Sequence, residues 1–72
     1  MNYASLDATE KFRLQKLMLH HYTQMAAAEG LTDKDLELTM REELKMFERE
    51  EKYEECALVR DVIKIWEDLN GE

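Results

Sequence analysis

The sequence predicts an all-α fold of three helices, with a long N-terminal helix packed on a C-terminal antiparallel helical hairpin. Three observations carry that expectation. The 72 residues include no proline and only two glycines, and they are rich in Glu, Leu, Lys, Met and Ala, the residues that lose least on entering a helix. Gly30 followed by Thr32 reads as a helix stop and an immediate helix start. Apolar residues recur every three or four positions in three separate blocks, the period of a helix with one buried side.

The first helix is expected over about 8–29, after an irregular lead-in from Met1 to Leu6. Asp7-x-x-Glu10 has the spacing of a capping box, although that motif prefers Ser or Thr at its first position. Asp7 and Lys11 form an i, i+4 pair of favourable orientation. Leu14, Met18, His21, Met25 and Ala28 line one face; Phe12, Leu19, Tyr22 and Ala26 line another. At ~1.5 Å per residue the helix spans ~30 Å, long enough to lie across both later helices.

The second helix is expected over about 33–49. Thr32 is its N-cap, and Asp33 and Asp35 stand in the first turn, where the macrodipole favours negative charge. Leu36, Met40, Leu44 and Phe47 form its core stripe, with Glu37 and Arg41 paired outside. The third helix is expected over about 53–69. Pattern alone also allows one unbroken helix from Asp33 to Leu69. Two features favour a break near Glu50 to Lys52: the apolar stripe lapses after Phe47 and resumes out of phase at Tyr53. Five glutamates between Glu48 and Glu55 also repel one another on a straight helix. A tight αα-hairpin answers both.

The third helix is the most apolar of the three. Cys56, Val59, Ile63 and Trp66 make one stripe, and Leu58, Val62, Ile65 and Leu69 make a second beside it. Together they exceed the roughly 100° that a bundle helix hides. The reading is that one stripe is core and the other is free to meet a partner. Residues 1–72 make one domain, of a size at which a single core is marginal without a staple or a partner. A lone cysteine excludes an internal disulfide, and no Cys/His spacing suits a structural zinc. Oligomerisation is the aid that remains. The unpaired thiol and the lack of a secretory segment imply a cytoplasmic protein. No apolar run is long enough to span a membrane.

The net charge of −7 is uneven. Residues 1–28 hold two acids and three bases, a balance of +1, whereas residues 29–72 hold fifteen acids and seven bases, a balance of −8. An acidic chain gains nothing from counterion release on a phosphate backbone, so direct nucleic-acid binding is disfavoured. The bases Lys11, Arg13 and Lys16 are too few to reverse that. A basic protein surface suits the acidic half better.

Residues 40–69 resemble the UVR motif, a short helical hairpin at the C-terminus of the bacterial excision-repair helicase subunit and in Clp-protease regulators. The run that carries the resemblance is Tyr53-Glu54-Glu55-Cys56-Ala57-Leu58-Val59-Arg60-Asp61-Val62-Ile63. In it an aromatic and Glu precede a small pair, an apolar pair, Arg-Asp and Ile. Leu44 and Phe47 sit where the family places apolar residues on the first helix of its hairpin. Cys56-Ala57 replaces the usual alanine pair, and Glu48 stands where a second small residue is common. The resemblance covers under half of the chain. It implies protein–protein association, often with a second copy, and no catalysis.

Candidate chemistry is sparse. His20 and His21 project about 100° apart on a helix and share no metal-binding face. His21 is expected to pack among Met18 and Met25. Cys56 has no base partner that would activate it. The five methionines fall mostly at core spacing, and the glutamates give no sign of a concave site. The expectation is a non-enzyme without metal or cofactor. It would associate through Leu58, Val62, Ile65 and Leu69, with Tyr53 and Arg60 beside them. The partner is a second copy or a bacterial repair or proteolysis component. One or both of Arg60 and Asp61 are expected to be tied near the core; Arg60 either reaches a carboxylate or a helix C-terminus or extends along the surface with a solvated head. The alternative is an acidic regulator, bacterial or phage-encoded, that occupies a basic groove of a polymerase or nuclease.

Overall fold

The computed structural model describes residues 2–70, so Met1 of the expected lead-in lies outside the described residues. A single turn of 3-10 helix, Tyr3–Ser5, precedes α1 (Ala8–Glu29), α2 (Asp33–Arg49) and α3 (Tyr53–Leu69). The three helices coincide with the three expected, and the chain between α2 and α3 is broken at the expected place.

Local chemistry explains each boundary. Asp7 caps α1 by accepting the Glu10 backbone N–H at 2.8 Å. Thr32 and Asp35 form a reciprocal capping box at the start of α2, with each side chain accepting the other's backbone N–H. Both junctions use one backbone device. After α1, the Leu31 N–H donates to Ala26 and the Gly30 N–H to Ala27, with Gly30 at φ 70. After α2, the Lys52 N–H donates to Phe47 and the Glu51 N–H to Glu48, with Glu51 at φ 59. Both are Schellman stops with a left-handed residue. One of them places a glutamate where glycine is the cheap choice.

α3 is the centre of the molecule. It buries Cys56, Leu58, Val59, Val62 and Ile63, whereas α2 buries Leu36 and Met40 and α1 buries Tyr22 and Ala26. α2 packs most extensively on α3, followed by α1 and then the N-terminal turn. α2 and α3 are strongly amphipathic, while α1 is weakly so. Leu44, Phe47 and Trp66 complete the hairpin core from partly buried positions. Across the open side of the hairpin, Arg41 pairs with Glu67 at 2.5 Å and with Glu37 at 3.4 Å. Gln15 of α1 reaches Asp61 on α3, and Tyr22 of α1 lies beside Glu43 on α2. One helix therefore crosses both members of the hairpin. Among the described residues no helix is long and apolar enough to cross a membrane.

Two local expectations are corrected. His21 is exposed rather than packed between Met18 and Met25, because α1 turns Tyr22 and Ala26 inward instead. Lys11 does not close on Asp7. Its ammonium lies 5.6 Å from the centroid of the Tyr3 ring, drawn by the ring face.

Candidate interaction surfaces

The stripe expected to meet a partner is divided by the fold. Leu58 and Val62 are buried within the monomer, Ile65 is half-buried, and Leu69 is 71% exposed. The correction has a specific cause. Tyr3 folds back onto α3, where it shares a small crevice with Leu58, Glu54 and Glu55, and α1 covers the rest. The third helix has three neighbours, and the N-terminal turn is the one that no periodicity announces. Leu58 and Val62 are core residues, so neither is available to a partner.

The clamp that holds this turn is polar. The Tyr3 hydroxyl donates to Asp61 Oδ2 at 2.6 Å and accepts from Gln15 Nε2 at 2.7 Å. Gln15 Nε2 also approaches the same Asp61 oxygen at 3.3 Å. Burial raises the Tyr3 pKa above the ordinary tyrosine value, and the Asp61 carboxylate raises it further; the Gln15 hydrogen bond opposes them. Of the Arg60-Asp61 pair, Asp61 is the residue tied to the core. Arg60 is exposed and makes neither anchoring contact, as the surface-extended reading has it.

Tyr22 is the second buried phenol. Burial is the main cause that lifts its pKa above the tyrosine range, and the neighbouring Glu43 carboxylate adds to it. Glu43 Oε2 and Glu54 Oε1 are both buried without a hydrogen-bond partner. Both residues are half-buried as a whole, and Glu43 faces the Tyr22 hydroxyl.

Tyr53 stands at the hairpin turn, 67% exposed, as the first residue of α3. Glu48, Glu50 and Glu51 are exposed on the chain just before it, with Lys52 drawn onto Glu50 at 3.3 Å, while exposed Glu55 projects from the other side of α3 beside Tyr3. Tyr53 and Leu69 lie at opposite ends of a helix at ~1.5 Å per residue, ~24 Å apart. They do not form one patch. Tyr53 and Arg60 are seven positions apart and share a face.

Compared with known proteins, the chain matches no family model, no curated protein and no solved structure. The surfaces themselves carry the functional argument.

A second exposed cluster lies on α1. Phe12 is 52% exposed and Leu17 61% exposed. Arg13 and Lys16 are exposed between them, with the Lys16 ammonium 4.9 Å from the centroid of the Phe12 ring. The pairs Phe12/Lys16 and Arg13/Leu17 are each i, i+4, so the four side chains occupy adjoining positions on one side of the helix. Leu17 belongs to neither apolar face read from the α1 sequence, and that misfit was the available signal. Phe12 was placed with Tyr22 and Ala26, but it lies at the edge of that face and stays in solvent.

Proposed function

We propose that the chain is a small, non-catalytic protein–protein interaction module whose docking end is the turn of the C-terminal hairpin. The observation that carries this reading is Tyr53. It is two-thirds exposed and held at the start of α3, directly after a hydrogen-bonded left-handed turn. A tyrosine on a locked turn brings a large contact area at little conformational cost, as interface anchors do. The UVR-like run begins at this residue, and association of that motif with a second copy or with a repair or proteolysis component is compatible with it. Arg60, on the same face, is the natural second contact. Leu69 and Ile65 belong to the far end and contribute to a different edge.

A second reading is favoured by the exposed carboxylates around the turn. Glu48, Glu50, Glu51 and Glu55 are all exposed at this end of the hairpin, and a basic groove on a polymerase or nuclease would attract that charge. Salt separates the two readings. A charge mimic loses its partner steeply between low and moderate ionic strength, whereas apolar hairpin pairing does not.

The test is affinity capture from a bacterial lysate with wild-type and Tyr53→Ala baits, at about 50 and about 300 mM salt. Tyr53 is the residue to change, because Leu58→Glu would place a charge in the core and unfold the bait. The expected result is a protein retained by wild type and lost by Tyr53→Ala. Identical captures by the two baits would overturn the turn as the docking end.

A further inference from the structure

We infer that the exposed α1 face formed by Phe12, Arg13, Lys16 and Leu17 receives the hairpin turn of a second copy of this chain, in a head-to-tail contact. The inference rests on the reading of the turn as the docking end and supplies that end with its receptor. Charge complementarity selects the occupant. On the α1 face Arg13 and Lys16 stand with Glu10 beside Arg13, while positions 48–55 hold five acids and two bases. The two surfaces are thus oppositely charged, +1 on the α1 face against −3 on the turn. A second α1 face would bring like charges together, so pairing of this face with itself is opposed.

The apolar content matches as well. Each surface presents at least one large side chain that is more than half exposed, Phe12 and Leu17 on one and Tyr53 on the other. Lys16 already sits over the Phe12 ring, and Lys52 lies 5.9 Å from the centroid of Phe47 beneath the turn. In the contact, Tyr53 packs on the Phe12–Leu17 surface while Glu50 and Glu51 face Arg13 and Lys16, and Glu55 adds to the negative field at that end of the hairpin. Both surfaces stand on elements held by backbone hydrogen bonds, so docking orders little that is not already ordered. The contact is made once between any two copies, which makes it heterologous. It propagates along a chain of copies unless a ring closes.

Sedimentation equilibrium tests this on three versions of the full chain: wild type, Arg13→Glu/Lys16→Glu, and Glu50→Gln/Glu51→Gln/Glu55→Gln. All the altered positions are exposed, and unchanged circular dichroism confirms that the variants are folded. At about 20 mM salt the wild-type average mass should rise steadily with concentration, and at about 300 mM it should fall to that of the monomer. Each variant alone should associate at least about tenfold more weakly. An equimolar mixture of the two should recover a 1:1 complex, since one supplies an intact turn and the other an intact α1 face. Pairing of either surface with its own copy cannot be rescued by mixing in this way.

A wild-type dimer that reaches a plateau and persists in the Arg13→Glu/Lys16→Glu variant would overturn the inference in favour of symmetric hairpin pairing. A mixture that stays monomeric would overturn it too. A wild type that is monomeric at every salt concentration, yet still captures a foreign protein through Tyr53, removes this inference and leaves the docking end standing.

Discussion

The two sides of α3 are covered by different kinds of chemistry. Toward α2 the contact is apolar and periodic: Leu36 and Met40 are buried in one core with Val59 and Ile63, and Leu44, Phe47 and Trp66 pack around them. Toward the N-terminus the cover is a single turn whose Tyr3 is pinned by two short hydrogen bonds, to Asp61 and from Gln15, with a longer Gln15–Asp61 contact closing the triangle. The first side relies on many interchangeable dispersion contacts, each weak. The second depends on a few groups that have no substitute. The hairpin side should therefore carry most of the stability, and the N-terminal side should decide how much of α3 remains available to partners.

Met40→Ala should have the largest effect, since Met40 is fully enclosed at the centre of the hairpin. Large-to-small changes at such sites cost about 2–5 kcal/mol. A domain of this size is held by about 0.05–0.15 kcal/mol per residue. Urea denaturation should show a large loss of midpoint, or outright unfolding. If Met40→Ala costs less than removing the Tyr3 hydroxyl, the contrast between the two sides is wrong.

Tyr3→Phe should come next. It leaves the ring in place and removes the donor to Asp61, a hydrogen bond to a charged acceptor of the sort worth about 1.5–3 kcal/mol. Asp61 is only half-buried and keeps Gln15 as a partner, so the lower end of that range is expected. A second consequence follows for a partner surface. With the turn loosened, Leu58 becomes accessible, and binding of a hydrophobic dye should rise in Tyr3→Phe relative to wild type.

The same residue gives a pH signature. The folded-state pKa values of Tyr3 and Tyr22 are both raised, in each case chiefly by burial. A tyrosine whose folded pKa lies above its unfolded value contributes stability that is complete below pH ~10 and declines as pH rises through the folded value. Between those limits the unfolded chain binds fewer protons, so alkali favours it. Denaturation midpoints should be flat across neutral pH and fall above pH ~10. Tyr3→Phe should make that fall shallower by removing one of the two titrating phenols. An equal slope in the two proteins would show that Tyr3 does not share in the titration.

How much of this was legible follows the same division. The helices could be read because their ends are written in short-range chemistry: Asp7 at one cap, Gly30 and Thr32 at the first junction, and a lapse of the apolar stripe at the second. The hairpin core could be read because Leu36, Met40, Val59 and Ile63 obey a helical period. Tyr3 could not, because one aromatic in a polar lead-in has no period, and its partner Asp61 lies 58 positions away. Without Tyr3, the sequence leaves Leu58 apparently uncovered, and its stripe reads as a partner surface for that reason. The α1 face was missed for a related one. α1 is weakly amphipathic, so Phe12 and Leu17 could be assigned to solvent only once Tyr22 and Ala26 were seen to point inward.

The smallest expected effects concern the two junctions, which share a backbone motif and differ in the residue at its left-handed position. Glu51 holds φ 59 with a side chain, at a conformational cost of about 1–2 kcal/mol relative to a residue free of that restriction. Glu51→Gly removes the cost but gives the unfolded chain more freedom, worth about 0.4–1 kcal/mol. The net expectation is a gain of a few tenths to about 1 kcal/mol in urea denaturation, helped slightly by the loss of one like charge from a crowded run. Gly30→Ala is the reciprocal experiment. A methyl group at Gly30 would meet nothing within 4 Å, so its penalty comes from φ 70 alone. It should destabilise by about the amount that Glu51→Gly stabilises. If Glu51→Gly destabilises instead, the glutamate side chain stabilises the turn by more than its backbone costs, and the two junctions are equivalent in name only.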